Sequence, residues 1–300
     1  MITKELVKTW IVQIRSNFLL LAVVLSFLGL ALAGLWMKKT GVGSFSVIEA
    51  IVLVFGVVLT HVSVNLFNEY SDSRTGIDDH TQRTPFSGGT GTIQAGKTTP
   101  LAVSTAAWQT LFWAFIIGLY FTIMSHWMVM VIMIVGAVSI VFYTTHFAKV
   151  LMGEFIAGLS LGSLVVIGAF VAMTGGSAST ICDLFPGEVI ILSIPPGILT
   201  SLLLFLNEFP DADVDKAGGR FHLVILLGRK RASRLYVAGL VLTYVFIIAA
   251  PIAGLSSWWV LLGCGTIPLA VKAGMMALKH AEDIPKLVPA LGINVMVVLI

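Results

Sequence analysis

Two segments of the chain carry asparagines and acids at spacings that a helix turns into faces. In the first, Asn68 and Asp72 are four residues apart, Asn65 and Glu69 run beside them, and Asp78 and Asp79 follow Gly76. In the second, Asn207, Asp211 and Asp215 recur every four residues. Residues so spaced share one side of an α-helix. Carboxylate and amide oxygens suit hard cations such as Mg2+, which keeps several waters and is commonly shared with substrate phosphates. Two such faces opposed across a gap would bind two or more ions and clamp a diphosphate between them. Arg74, Arg83, Lys97, Lys149 and Arg220 are candidate diphosphate partners on the same side, and the glycine-rich run 87–91 offers backbone N–H donors. The competing reading is an acidic loop that is simply solvated. Two Asn-led copies, each followed by basic residues, favour the cation site.

The elements that must position these residues are membrane helices. Of 300 residues, 57% are hydrophobic and only 11% charged, with a mean hydropathy of +0.99. That leaves too little polar surface to coat a water-soluble particle. The 18 Lys and Arg nearly balance 15 Asp and Glu, for a net charge of +3, so nucleic-acid binding is not expected. No obligatory protein partner is indicated either. Cys182 and Cys264 stand in separate apolar contexts and read as packing thiols.

Apolar runs long enough for the bilayer core occur at about 18–36, 47–67, 101–123, 126–145, 152–174, 188–206, 235–253 and 257–278, with a shorter one at 286–300. They are continuous, without the alternation of barrel strands. An all-α, polytopic bundle of nine transmembrane helices is therefore expected, as a single domain over 1–300. With the N-terminus in the cytoplasm, every Lys and Arg except Lys38 and Lys39 falls inside, a strong positive-inside bias. Residues 1–17 carry Leu6, Trp10, Ile11 and Ile14 at near-helical spacing among Lys4, Lys8 and Arg15, as in a short interfacial helix. The apolar run continues past Ala31 and Ala33, so cleavage there as a signal peptide is not expected. Both acidic segments then lie at the cytoplasmic ends of the second and sixth spans, around a central cavity open to that side of a cytoplasmic or inner membrane. A transporter would instead place ionisable groups near mid-bilayer and show inverted repeats.

These residues resemble the UbiA superfamily of intramembrane prenyltransferases. Asn68, Asp72 and the later Asp78 are similar to its first motif, and Asn207, Asp211 and Asp215 to its second. The spacing, the LLGR that follows, and the pairs Tyr143–Thr144 and Gly153–Glu154 are most similar to the branch that prenylates 1,4-dihydroxy-2-naphthoate in menaquinone synthesis. The resemblance implies transfer of a polyprenyl group from its diphosphate to an aromatic acceptor. Another acceptor, such as 4-hydroxybenzoate, stays open. It further implies Mg2+ held by Asn68, Asp72, Asp78, Asn207, Asp211 and Asp215, with Asp72 and Asp211 essential. Lys149 and Arg83 would support the leaving group, and Tyr70 and Tyr143 the allylic cation. Glu69 or Asp79 would deprotonate the acceptor. The isoprenoid tail would lie in a groove open to lipid. His61 and Glu154 are left as packing and helix-terminus residues, and Gly158 and Gly162 as points of close helix contact.

Overall fold

The computed structural model describes residues 4–77, 83–143 and 146–300; Asp78, Asp79 and Thr144 lie outside them. Among the described residues it is helical, without strands. An amphipathic helix α1 (Lys4–Gln13) leads through a 3-10 turn into α2 (Leu19–Thr40), followed by α3 (Val47–Thr75), α4 (Pro100–Met124) and α5 (Met128–Tyr143). Next come α6 (Gly153–Gly158), one π-helical turn (Leu159–Ser163) and α7 (Leu164–Thr174), which together make one span. The remainder is α8 (Ile181–Leu184), α9 (Gly187–Ala217), α10 (Leu223–Leu227), α11 (Arg229–Ile252), a 3-10 stretch (Trp258–Thr266), α12 (Ile267–His280) and α13 (Ile284–Leu299). Seven helical stretches are long and apolar enough to cross a membrane. The runs near 126–145 and 286–300 form the shorter helices Met128–Tyr143 and Ile284–Leu299.

The acidic segments are positioned by helices that do not stop where the apolar runs stop. Helix α3 carries its motif to Thr75, where Gly76, at φ 73°, ends it in the left-handed conformation that glycine adopts without strain. Helix α9 runs 31 residues and ends after Asp215. Its prolines, Pro195, Pro196 and Pro210, interrupt the backbone ladder without ending the helix. Such breaks are tolerated in a membrane when neighbours supply replacement partners. Ser163 donates to the Ser193 carbonyl at 2.9 Å, and Thr200 to the Pro196 carbonyl at 2.8 Å.

Lipid offers no hydrophobic drive between helices, so packing rests on close approach and buried polar contacts. Around the π turn both are present. A Cβ added at Gly158 would meet the Gly197 carbonyl oxygen at 2.6 Å, and one at Gly162 would meet Gly197 Cα at 2.7 Å, as the sequence suggested for these glycines. Farther along α9, Tyr236 donates to Asn294 at 2.8 Å while Asn294 donates to the Leu202 carbonyl at 3.3 Å, joining α9, α11 and α13. One apolar cluster gathers α2, α7 and the first half of α9; a second gathers the later half of α9 with α11, α12 and α13. Helix α9 therefore belongs to both halves of the bundle and carries the second motif between them.

Candidate active site

Two helix ends and one loop make the site. Asn68 and Asp72 from α3 line a cavity of about 120 Å³ together with Asn207, Glu208, Asp211 and Asp215 from α9. The two motifs, more than 130 positions apart in sequence, thus face each other as their shared grammar suggested. Arg220 joins them. Its Nη2 donates to Asp72 and its Nη1 to Asp215 at 2.9 Å. Burial works against the guanidinium charge, but the two carboxylates outweigh it and raise its pKa above the ordinary value. Arg220 is fixed from both sides. It is held by its own chain, because its N–H donates to the Asp215 carbonyl at 2.9 Å.

Several oxygens are left over. Asn207 Oδ1 and Asp211 Oδ1 are buried and make no hydrogen bond. Orphaned acceptors of this kind are costly in low dielectric unless a cation or donor arrives. An all-oxygen donor set of carboxylates and amides fits a hard dication such as Mg2+.

The loop over the cavity is tied down by carboxylates. Gly88, at φ 82°, turns its N–H onto Asp211 Oδ2 at 3.1 Å. Thr90 donates through its backbone N–H at 3.0 Å and its hydroxyl at 2.6 Å to Glu69. Glu69, 1% exposed, also receives Arg15 through Nε at 2.9 Å and Nη2 at 2.6 Å, and Gln13 at 3.3 Å. Arg15 pays for this with a left-handed backbone, φ 50° and ψ 53°, a strain that persists only when the surroundings over-determine it. Asn65 adds a hydrogen bond to the Ile14 carbonyl at 2.9 Å. The expected interfacial helix is thus present as α1, and its end is latched onto α3 beside the cavity.

Other residues singled out in the sequence lie elsewhere in the structure. Lys149 and Lys97 are exposed and lie outside the cavity lining, as does Arg74 at the solvent-facing end of α3. Arg83 lines a separate pocket between α1 and the loop, shared with Arg15. Tyr70 packs with α3 and α4 apolar residues away from the cavity. Glu69 accepts from Gln13, Arg15 and Thr90 and is not in the cavity lining. The loop N–H groups of Gly88 and Thr90 are spent on carboxylates, so these two are not available to an anion. Tyr143 does line the cavity, and so do Arg15, Phe86, Glu208 and His222, to which the sequence assigned no role there.

Below the polar cavity the lining changes. A second chamber of about 150 Å³ shares Arg15, Asn68, Phe86, Tyr143 and Asn207 with it, and adds His61, Ile140 and Ser160. His61, set aside in the sequence, is buried there. Ile140 and Ser160 also line a third space of about 160 Å³, walled almost entirely by apolar side chains of α3, α4, α5 and α7. Ser160 sits in the π turn, the kind of helix defect that often marks functional positions. The three spaces run from carboxylates to hydrocarbon.

This arrangement defines a class: a polytopic, α-helical membrane protein with an acid-lined pocket that opens into an apolar channel. The profile of the UbiA prenyltransferase family matches residues 18–288, and the chain belongs to that family. It is 29% identical over 224 residues to a 1,4-dihydroxy-2-naphthoate octaprenyltransferase of Bacillus subtilis, covering 74% of this chain and 68% of the relative. It is 24% identical over 280 residues to the protein of that name in Escherichia coli, covering 92% and 87%. Among solved structures, the apo form of a UbiA homologue from Aeropyrum pernix K1 superposes with a TM-score of 0.69 at 16% identity, covering 94% of this chain and 98% of that one. A UbiA homologue from Archaeoglobus fulgidus bound to GPP and Mg2+ superposes at 0.62 and 12% identity, covering 97% and 96%.

Replacing Arg220 removes the guanidinium that bridges Asp72 and Asp215. Breaking a buried ion pair from one side costs about 3–5 kcal/mol. Arg220→Gln is therefore expected to lower the thermal midpoint of the detergent-solubilised protein in EDTA, and millimolar Mg2+ to recover much of the loss. Melting curves of both proteins with and without Mg2+ check this.

Proposed function

We propose that this chain transfers a polyprenyl group from its diphosphate to 1,4-dihydroxy-2-naphthoate, with Mg2+ as cofactor, in menaquinone synthesis. The observation that carries this is the meeting of two Asn-led acidic motifs at the polar mouth of a channel that becomes hydrocarbon-lined. Few substrates other than a lipid diphosphate match both ends. The curated relatives carry this activity in their names, and the Archaeoglobus homologue holds GPP with Mg2+.

In this reading Asn68, Asp72, Asn207, Asp211 and Asp215 hold Mg2+, two or more ions, with Asp78 added from outside the described residues. Mg2+, when bound, offsets the charge that develops on the diphosphate as the allylic C–O bond breaks. Arg220 stands between the motifs and contributes the same sign of charge to the leaving group. Phe86 and Tyr143 line both the polar cavity and the middle chamber, and a ring face there would stabilise an allylic cation. The latched loop and α1 keep water from that cation. The tail lies beyond Ile140 and Ser160. A single domain of nine spans, with its N-terminus and acidic cavity on the cytoplasmic side, accommodates the sixteen-to-two distribution of Lys and Arg.

Purified protein incubated with labelled allylic diphosphate, Mg2+ and either dihydroxynaphthoate or 4-hydroxybenzoate tests the reading. Prenylated naphthoate is expected, abolished by EDTA and reduced by at least about 100-fold in Asp72→Asn and in Asp211→Asn, the scale of losing a transition-state charge partner. Product with hydroxybenzoate alone would move the acceptor. Product from naphthoate undiminished in both variants would remove these carboxylates from the chemistry.

The channel generates a second expectation. Ser160→Phe fills the junction between the middle chamber and the apolar space. It should lower kcat/KM for an octaprenyl diphosphate by about tenfold or more while leaving dimethylallyl diphosphate within a few-fold, since only the long tail must pass. Parallel progress curves with the two donors give the ratio.

A further inference from the structure

Glu208 and His222, which line the diphosphate cavity, meet Glu154 from outside its lining in a group of ionisable side chains to which the transfer reaction assigns no role. Glu154 opens α6, Glu208 lies on α9, and His222 directly precedes α10. They are 4%, 8% and 2% exposed. One donor atom from each lies within 4.8 Å of the others. Among the described residues, both ring nitrogens of His222 are buried without a hydrogen bond of good geometry, and Glu154 Oε2 and Glu208 Oε2 meet no donor other than a proton shared between the two carboxyl groups. Two carboxylates and an imidazole gathered so closely are costly to bury unless a proton or a cation joins them.

The surroundings orient these donors. The Leu223 N–H donates to Glu154 Oε1 at 2.8 Å, which fixes that carboxylate and leaves Oε2 turned inward. His222 Nδ1 lies 3.4 Å from Glu208 Oε2, and Nε2 lies 3.4 Å from Asp215 Oδ2 on the opposite edge of the ring. An imidazole with one nitrogen toward a metal and the other toward a carboxylate is the usual supporting arrangement of histidine ligands. The backbone holds the three elements together as well. The Phe221 N–H donates to the Ala148 carbonyl at 2.9 Å and the Leu151 N–H to the Phe221 carbonyl at 3.2 Å. Leu151 adopts φ 61° to do so, a conformation a branched side chain rarely takes.

We propose that Glu154, Glu208 and His222 bind one divalent first-row transition-metal ion of the Zn2+ type, at a site that adjoins the Mg2+-binding carboxylates and shares none of their residues. The nitrogen ligand argues against Mg2+, which takes oxygen, while a mixed carboxylate and imidazole set is that of Zn2+ and its neighbours. Ligands around such an ion sit roughly 3–4 Å apart, so the observed group closes on it with small side-chain movements. Two carboxylates neutralise the dication, and the fourth position is left to water. The ion staples α6, α9 and the segment 218–222, and thereby holds Arg220 in place against Asp72 and Asp215. Its role is positional and independent of the acceptor.

The test needs no turnover. Full-length protein in detergent is stripped with EDTA, equilibrated with Zn2+ in large excess of Mg2+, desalted, and its metal content measured by mass spectrometry. Wild type should keep close to one zinc per chain, and so should Asp213→Asn, which alters an exposed carboxylate of the same helix. His222→Gln and Glu208→Gln should each fall at least tenfold in zinc retained. Because either variant can fail to fold, the zinc-edge X-ray absorption spectrum of the wild type is recorded too, and should show an imidazole ligand. No zinc retained by wild type, equal zinc in folded His222→Gln, or a spectrum with oxygen ligands alone would each overturn the site.

Discussion

Everything in this molecule accommodates one electrostatic difficulty: carboxylates from two distant helices meet at the end of an apolar bundle, where like charges repel and desolvation is costly. Arg220 answers part of it by bridging Asp72 and Asp215. The backbone N–H of Gly88 answers a second part at Asp211. What those donors leave over among the described residues, notably Asn207 Oδ1 and Asp211 Oδ1, is a surplus of oxygen that suits a cation. In the proposed function the same surplus that destabilises the free protein is what binds Mg2+ and a diphosphate. Binding and structural cost are two aspects of one arrangement.

A second theme is the polarity gradient. Moving from Asp215 to Tyr143 and then past Ile140, the lining changes from charge to aromatic ring to hydrocarbon. A prenyl diphosphate has the same order of chemistry along its length. The π turn, with Gly158 and Gly162 packed on Gly197, lets α9 approach closely while Ser160 stays on the channel wall. Glu69 fastens the end of α1 and the loop to α3 through Arg15 and Thr90. These links connect helix defects, packing and chemistry without any loop having to carry the reaction alone.

Much of this was legible in the chain. Asn68 with Asp72, and Asn207 with Asp211 and Asp215, obey helix periodicity, and each helix does continue through its motif. Periodicity says nothing about partners far away, which is why Arg15 was missed: its contact with Glu69 spans 54 positions. The one available signal was an arginine sitting between an amphipathic helix and a membrane span. Proximity in sequence misled in the opposite direction. Arg74 and Lys97 lie in or shortly after the first acidic segment, yet both are exposed, as is Lys149 between the two segments. Tyr70 fell on the face of α3 that packs against α4. Glu154 and His222 come from separate elements and carry no shared motif, so only the fold brings them to Glu208.

The central claim is that the two motifs act on a single diphosphate. Its most direct measurement is a double-mutant cycle on equilibrium binding of a non-reactive prenyl diphosphate analogue, with Mg2+ titrated, in Asp72→Asn, Asp211→Asn and the double variant. The expected result is Mg2+-dependent binding in the wild type, loss of most of it in either single variant, and a double variant scarcely worse than each alone, because the shared site is already broken. Additive losses, or one motif whose substitution leaves binding unchanged, would contradict a shared site.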